Sequence, residues 1–145
     1  MRAARLLSVL LLVGACASTA PVAIRVGDVC FHCRRTIAEP ALAAEILSGQ
    51  HAFKFSSVAC LTEYLREHPN EPVKAIFVTD YPTVKLFPAD GAHFVKFEVE
   101  PRVGAKGYAA FRDANVARTF ANEKHASVVP WDDVQKDATI EHAAH

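Results

Sequence analysis

Two cysteines, Cys30 and Cys33, are separated by two residues and form the strongest local sign of chemistry in this sequence. Two thiolates at this spacing can converge on one metal ion or close into a disulfide. Thiolates are soft donors that favour Cu(I), zinc or iron–sulfur centres. His32 lies between them and could add an imidazole, although adjacent residues of a strand point to opposite sides. The pair predicts a metal site, with a structural disulfide as the alternative.

Several familiar uses of such a pair are excluded by the residues around it. Covalent haem attachment needs a histidine directly after the second cysteine, where this chain has Arg34. A zinc finger or ribbon needs a second close pair of ligands, which the sequence lacks. A thioredoxin-like site needs an active-site helix within a larger α/β fold, and the hydrophobic pattern of this sequence does not supply one. The sequence also has no Ser-His-Asp order, no paired catalytic carboxylates and no glycine-rich phosphate loop, so we expect a protein that is not an enzyme.

Two further residues are candidates for the same site. Cys60 lies near the start of a predicted helix, where the helix dipole could lower the pKa of its thiol. It could also be a small buried core residue or pair with Cys30 or Cys33. His93 lies where a strand of the second half is predicted to begin, and could complete a site across the two halves of the chain.

The N-terminus has the pattern of an export signal. Arg2 and Arg5 precede a short apolar run at residues 6–13, and small residues lead to Cys16. The run is much shorter than the roughly 20 residues that span a bilayer. The cleavage site resembles the bacterial lipobox, in which the cysteine is diacylated. We therefore predict a signal peptide at residues 1–15, a lipid on Cys16 and a lipidated tether at residues 16–26.

The residues after Cys16 bear on where the lipid anchors the protein. Ala17 and Ser18 follow it, and no aspartate does. By the sorting rules of bacterial lipoproteins, this favours the outer membrane in a cell that has two. The expected location is therefore a lipid-anchored protein that faces the periplasm.

Charge and length limit the remaining possibilities. Residues 1–15 carry two of the 16 basic residues, so 14 basic and 16 acidic residues remain after cleavage. This near balance gives no electrostatic basis for binding nucleic acid. The remaining chain suits one compact domain or two very small subdomains.

The hydrophobic pattern repeats the same order of elements in both halves. The first half predicts a helix at 41–47, a strand at 52–55, a helix at 59–68 capped by Ser57, and a strand at 74–79. The second half predicts strands at 83–87 and 93–98, a helical stretch at 108–122, and a strand at 127–131 followed by a short helical turn. We expect an α+β fold of two small, similar strand-helix-strand units packed together. The domain would cover residues 27–136, with units at 27–82 and 83–136, before a flexible tail at 137–145.

Six stretches of this chain together resemble the NosL family of copper-binding lipoproteins, the nitrous oxide reductase accessory proteins. They are CFHC at 30–33, AEIL at 44–47 with Gly49, FSSVACL at 55–61, DYPT at 80–83, GAKGYAAF at 104–111, and VVPW at 128–131 after Ala117. Their order and spacing agree along nearly the whole chain after the signal peptide. The resemblance implies a fold of two similar small α+β units related to a domain of organomercurial lyase.

The resemblance also implies a Cu(I) carrier that receives copper from a donor and hands it to an exported copper enzyme such as nitrous oxide reductase. The family uses cysteine and methionine ligands, but Arg35 and Val103 fall near the usual methionine positions here. The only methionine is Met1, which would be removed with the signal peptide. Copper ligands would therefore be Cys30 and Cys33, with His32 or His93 as candidate third ligands and Cys60 as a possible additional thiol.

Two other functions remain open at this point. Cys30 and Cys33 could cycle between dithiol and disulfide in a periplasmic redox protein. The chain could also be an interaction lipoprotein that kept the fold and a structural disulfide without a metal.

Overall fold

A computed structural model of the chain describes residues 19–100, 102 and 105–143. The predicted signal peptide and Cys16 lie outside this part. None of the described helices combines the length and the apolar character needed to cross a bilayer.

The described residues form seven strands and three α-helices. The strands are β1 (Ala44–Ser48), β2 (His51–Phe55), β3 (Val73–Asp80), β4 (Lys85–Pro88), β5 (His93–Glu100), β6 (Ala105–Phe111) and β7 (Val128–Val129). The helices are α1 (Val58–Glu67), α2 (Ala114–Glu123) and α3 (Trp131–Ala143), and short 3-10 helices span Pro40–Leu42 and Ala89–Gly91. The predicted α+β class is confirmed.

All seven strands belong to one mixed sheet. Its order is β2-β1-β3-β6-β5-β7, and β4 pairs with β3 beside this path. The pairs within β1–β4 and within β5–β7 are antiparallel. The two groups meet where β3 and β6 run parallel, with Asp80 opposite Ala110. The two halves therefore share a continuous sheet.

The helices cover the two faces of this sheet unequally. One core contains residues of α1 and α3, such as Leu61 and Val134, together with Phe94 of β5. The next residue of β5, Val95, belongs to a second core with Ala117 of α2. Because successive residues of a strand point to opposite faces, α1 and α3 lie on one face and α2 lies on the other.

Three local predictions were wrong. Residues 41–47, predicted as a helix, contain most of β1, because the alanine, leucine and glutamate composition that favours a helix is outweighed by pairing on both sides and complete burial. The stretch at 108–122 begins within β6 and becomes helical only at Ala114. The short helical turn after Trp131 is a helix of 13 residues, so its backbone continues beyond the predicted start of the tail at residue 137.

Helix α1 begins and ends within one residue of the predicted bounds, 59–68. The Ser57 hydroxyl accepts the backbone N–H of Cys60 at 3.1 Å, which satisfies one of the free donors of the first turn. Leu61 and Tyr64 are buried on its inner face. Pro69 follows directly after the last turn, where the chain turns towards β3. This cap fixes the backbone that carries Cys60.

Replacing the N-cap residue of α1, Ser57, or that of α2, Asp113, should destabilise the fold by a similar amount. Only the replacement of Ser57 should disturb the thiols. We expect Ser57→Ala to lower the free energy of unfolding by about 1 kcal/mol, because the Cys60 N–H loses its acceptor. Asp113→Ala in α2 is the matched control, since Asp113 accepts the N–H groups of Asn115 and Val116. Urea unfolding measures both changes. An unchanged midpoint for Ser57→Ala would contradict the role of this cap.

Candidate metal centre

Cys30 and Cys33 lie in a tight reversal of the chain at residues 27–37, called here the thiol loop. A single isolated bridge pairs Val29 with Thr36. Between these two bridged residues, the Cys30 N–H donates to the Arg35 carbonyl at 2.9 Å. The reversal thereby brings Cys30 and Cys33 to the same side of the loop.

The thiol loop is held against β2 by backbone and side-chain contacts. The Phe31 N–H donates to the Lys54 carbonyl at 2.7 Å. The Lys54 ammonium binds the Asp28 carboxylate, also at 2.7 Å. The Phe31 ring stacks on Phe53 with 4.2 Å between centroids and meets Tyr64 of α1 edge to face. These contacts fix the loop beside the start of α1.

The first turn of α1 brings a third sulfur to the pair. The ligand atoms of Cys30, Cys33 and Cys60 all lie within 4.8 Å of one another. Cys30 is fully buried, whereas Cys33 and Cys60 are half-buried. All three are free thiols, so none of the described cysteines forms a disulfide. The group is a compact set of three soft donors, partly open to solvent.

The pKa of the Cys33 thiol is lowered to about 6. Burial alone would raise this pKa. The Arg35 backbone N–H and guanidinium outweigh burial by donating to the sulfur, with smaller help from Cys30 and Ser56. Cys33 is therefore largely a thiolate at neutral pH.

Cys60 behaves in the opposite way. Burial raises the pKa of its thiol to about 11, and the negative charge of the neighbouring sulfurs adds to this, against the hydrogen bonds from Ser56 and Ser57. The Ser56 hydroxyl lies 3.4 Å from the Cys60 sulfur and 3.7 Å from that of Cys33. Its single proton can serve only one sulfur at a time. Cys60 remains a neutral thiol at neutral pH.

The two predicted histidine ligands lie elsewhere. His32 points to the exposed face of α1, where Nε2 is 3.2 Å from Glu63 and Nδ1 is 3.7 Å from Glu67. Those three residues form a separate group of metal-binding type, apart from the thiols. His93 lies at the start of β5 opposite Phe111, in the second half of the sheet, and belongs to neither group.

Two contributors to the site were not predicted from the sequence. The guanidinium of Arg35 donates to the Cys33 sulfur, and this contact raises the pKa of the guanidinium. In the sequence, Arg35 is only the residue near a usual methionine position of the family. Ser56 lies between the two half-buried sulfurs. The serine pair at 56–57 is the one local signal of this contact, and by itself it indicates only the N-cap at Ser57.

The reactivity of Cys33 should follow a low pKa. We expect its rate of alkylation by iodoacetamide to rise with pH through a midpoint near pH 6 and then level off, because only the thiolate reacts. Cys60 should remain unreactive across this range because its pKa is about 11. Mass spectrometry of the cysteine peptides reads the two sites separately. A Cys33 midpoint near the ordinary value of about 8.5 would contradict this description.

Removing the Arg35 guanidinium should raise the alkylation midpoint of Cys33. Arg35→Gln keeps the backbone N–H but loses the charged donor to the sulfur. Arg34→Gln is the matched control, because it removes an exposed cation next in the chain while the Arg35 guanidinium that donates to Cys33 is kept. The same pH profiles measure both variants. Equal midpoints for the two variants would show that the guanidinium does not act on the sulfur.

Comparison with known proteins places the chain in a family. No curated protein matches it. Its structure is similar to the crystal structure of the copper chaperone NosL from Shewanella denitrificans, with a TM-score of 0.66 and 19% sequence identity. The match covers 79% of this chain and 95% of that one. The NosL family model matches residues 21–139, most of the sequence. The chain therefore belongs to the NosL family.

Proposed function

We propose that this protein is a lipid-anchored Cu(I) metallochaperone that delivers copper to an exported copper enzyme such as nitrous oxide reductase. The observation that carries the proposal is the convergence of the Cys30, Cys33 and Cys60 sulfurs within 4.8 Å. Membership of the NosL family and the fold shared with a copper chaperone from Shewanella denitrificans support it.

The donor set favours Cu(I) over other metals that bind thiolates. Metal–thiolate bonds of about 2.3 Å, the length found for zinc, would place trigonal sulfurs about 4 Å apart, within the observed spacing. Structural zinc sites need four ligands, and cysteine-bound iron–sulfur clusters usually need four cysteines. No fourth histidine, cysteine or carboxylate joins the three sulfurs among the described residues. A soft ion that accepts three donors therefore suits this group best.

Copper delivery from such a site is an exchange of ligands without oxidation or reduction. A donor atom of the partner binds Cu(I) first, and the bond between copper and one chaperone sulfur then breaks. Cys33 is the residue best placed for this exchange, because it is partly exposed and already a thiolate, whereas Cys30 is fully buried. The Arg35 guanidinium would offset part of the negative charge of a three-thiolate copper site.

The sequence and the family support the location and the partners in this proposal. The lipobox-like residues before Cys16 support a lipid anchor, and Ala17 and Ser18 favour the outer membrane. The protein would then face the periplasm, take copper from a donor there and pass it to the copper enzyme. Nitrous oxide reductase is the recipient that the family suggests.

Thiol redox activity is a second candidate, and the low pKa of Cys33 is the observation that favours it. A reactive thiolate beside two other sulfurs can attack a disulfide of a partner. In that case Cys33→Ser would abolish reduction of a disulfide substrate, and copper would have no role in the activity. Metal affinity therefore distinguishes the two functions.

The decisive test is an anaerobic Cu(I) titration of the reduced soluble domain, with Cys16 replaced, against a competing chelator. We expect one copper per chain and at least about a 100-fold loss of affinity in each of Cys30→Ser, Cys33→Ser and Cys60→Ser, since even outer partners of metal ligands contribute 10- to 100-fold. His93→Gln is the matched control and should bind like the parent chain, because His93 lies outside the thiol group. Absence of binding above the chelator background would overturn the proposal. A loss confined to Cys30→Ser and Cys33→Ser would remove Cys60 from the ligand set.

A further inference from the structure

Residues 19–26, called here the N-terminal strap, lie along the first two strands. The Val22 N–H donates to the buried carboxylate of Glu45 in β1 at 2.9 Å. The Lys54 ammonium in β2 donates to the Ala23 carbonyl at 2.9 Å. The strap is therefore fastened to the sheet before the chain enters the thiol loop.

The two ends of the strap lie at opposite ends of β2. Thr19 and Ala20 border a cavity of about 290 Å³ together with the residues of the turn between β1 and β2, including Gly49 and Gln50. At the other end, the strap leads directly into the thiol loop, which bonds to Lys54 near the end of β2. The five residues of β2 span roughly 14 Å. The thiols are thus separated by the length of a strand from the point where the chain reaches the domain.

We infer that the turn between β1 and β2 faces the lipid headgroups, and that the thiol loop faces away from the membrane towards partners in the aqueous phase. The inference rests on the proposed lipid on Cys16. Two residues lie between Cys16 and Thr19, so the chain takes three steps between them, and an extended chain spans at most about 3.6 Å per step. Thr19, which borders the same cavity as the turn, is therefore held within about 11 Å of the lipidated cysteine, while the thiols lie at the other end of β2.

The chemistry of the two ends agrees with this orientation. Exposed residues at the turn are polar, and they include Gln50, His51 and the cation Lys74. This end therefore offers one exposed cation to anionic headgroups, and the half-exposed Val22 of the strap is the apolar side chain beside it.

The thiol end presents a different surface. It exposes the apolar side chains of Val26, Val29 and Phe31 beside the cations Arg34 and Arg35. Surfaces that combine aromatic and apolar side chains with arginine are typical of protein–protein interfaces. The copper partners are therefore proteins whose metal sites lie in domains outside the bilayer, with acidic groups around them. A site embedded in the membrane would not reach Cys33.

Fluorescence quenching tests the orientation on the lipidated full-length protein. The chain has a single tryptophan, so a reporter is introduced as Gln50→Trp at the turn or as Val29→Trp at the thiol loop, and the parent chain supplies the signal of Trp131. Each protein is inserted in vesicles of phosphatidylethanolamine and phosphatidylglycerol that carry a nitroxide on the headgroup. The same variants without the lipid, with Cys16→Ser, are the matched controls. Cooperative thermal unfolding verifies that each variant is folded.

We expect the Gln50→Trp reporter to lose fluorescence in the nitroxide vesicles and the Val29→Trp reporter to lose none beyond the parent chain. Equal quenching of both reporters, or stronger quenching at Val29→Trp, would overturn the orientation. Failure of the full-length protein to attach to vesicles would also overturn it by removing the anchor. Copper binding by the soluble domain is measured separately, so loss of the proposed function and loss of the orientation give different results.

Discussion

The geometry of the thiol group depends on Lys54 in β2, a residue outside the group. Backbone hydrogen bonds and one isolated bridge close the thiol loop on itself, while burial of Cys30 and Ile37 and the contacts of Lys54 fix it to the rest of the domain. Lys54 accepts the Phe31 N–H with its carbonyl and binds both Asp28 and the Ala23 carbonyl with its ammonium. One residue of a regular strand thereby holds the strap, the start of the loop and the Cys-x-x-Cys segment. The hydrogen bond from Lys54 lowers the pKa of Asp28, which is the sign expected of a favourable ion pair.

The strap compensates for an asymmetry in the packing of the sheet. Helix α2 covers one face of the second half, whereas the described residues place no α-helix on the corresponding face of the first half, only the short 3-10 helix that contains Leu42. Glu45 is fully buried there, and burial raises the pKa of its carboxyl against the opposing effect of the Val22 N–H. A buried carboxyl without partners would be costly, and the strap supplies the N–H group that both of its oxygens accept. The segment that connects the domain to the predicted lipid anchor is thus also part of the fold.

The parts of this structure that could be predicted from sequence are those set by local chemistry. Ser57 and the spacing of Leu61 and Tyr64 indicated α1 with nearly correct bounds, because capping and periodicity act within a few residues. The residues of β1 were assigned to a helix, because pairing with β2 and β3 depends on residues as far along the chain as Val78. The same limit applied to the metal centre. The Cys30–Cys33 pair was evident, but the convergence of Cys60 depends on how the thiol loop docks beside α1. The direction of His32 likewise follows from Glu63 and Glu67, which no local pattern connects to it.

The different environments of the three sulfurs suit a carrier better than a storage site. Cys30 is buried and fixed by the loop, Cys33 is a thiolate at neutral pH, and Cys60 is a thiol with a pKa of about 11. In the proposed function, complete three-sulfur binding of Cu(I) requires Cys60 to lose its proton, so part of the binding free energy is spent on deprotonation and affinity increases with pH. When a partner takes the metal, Cys60 regains its proton and its half-buried sulfur becomes neutral again. Burial of one ligand therefore opposes retention of the ion, and this favours transfer to a partner whose donors are already deprotonated.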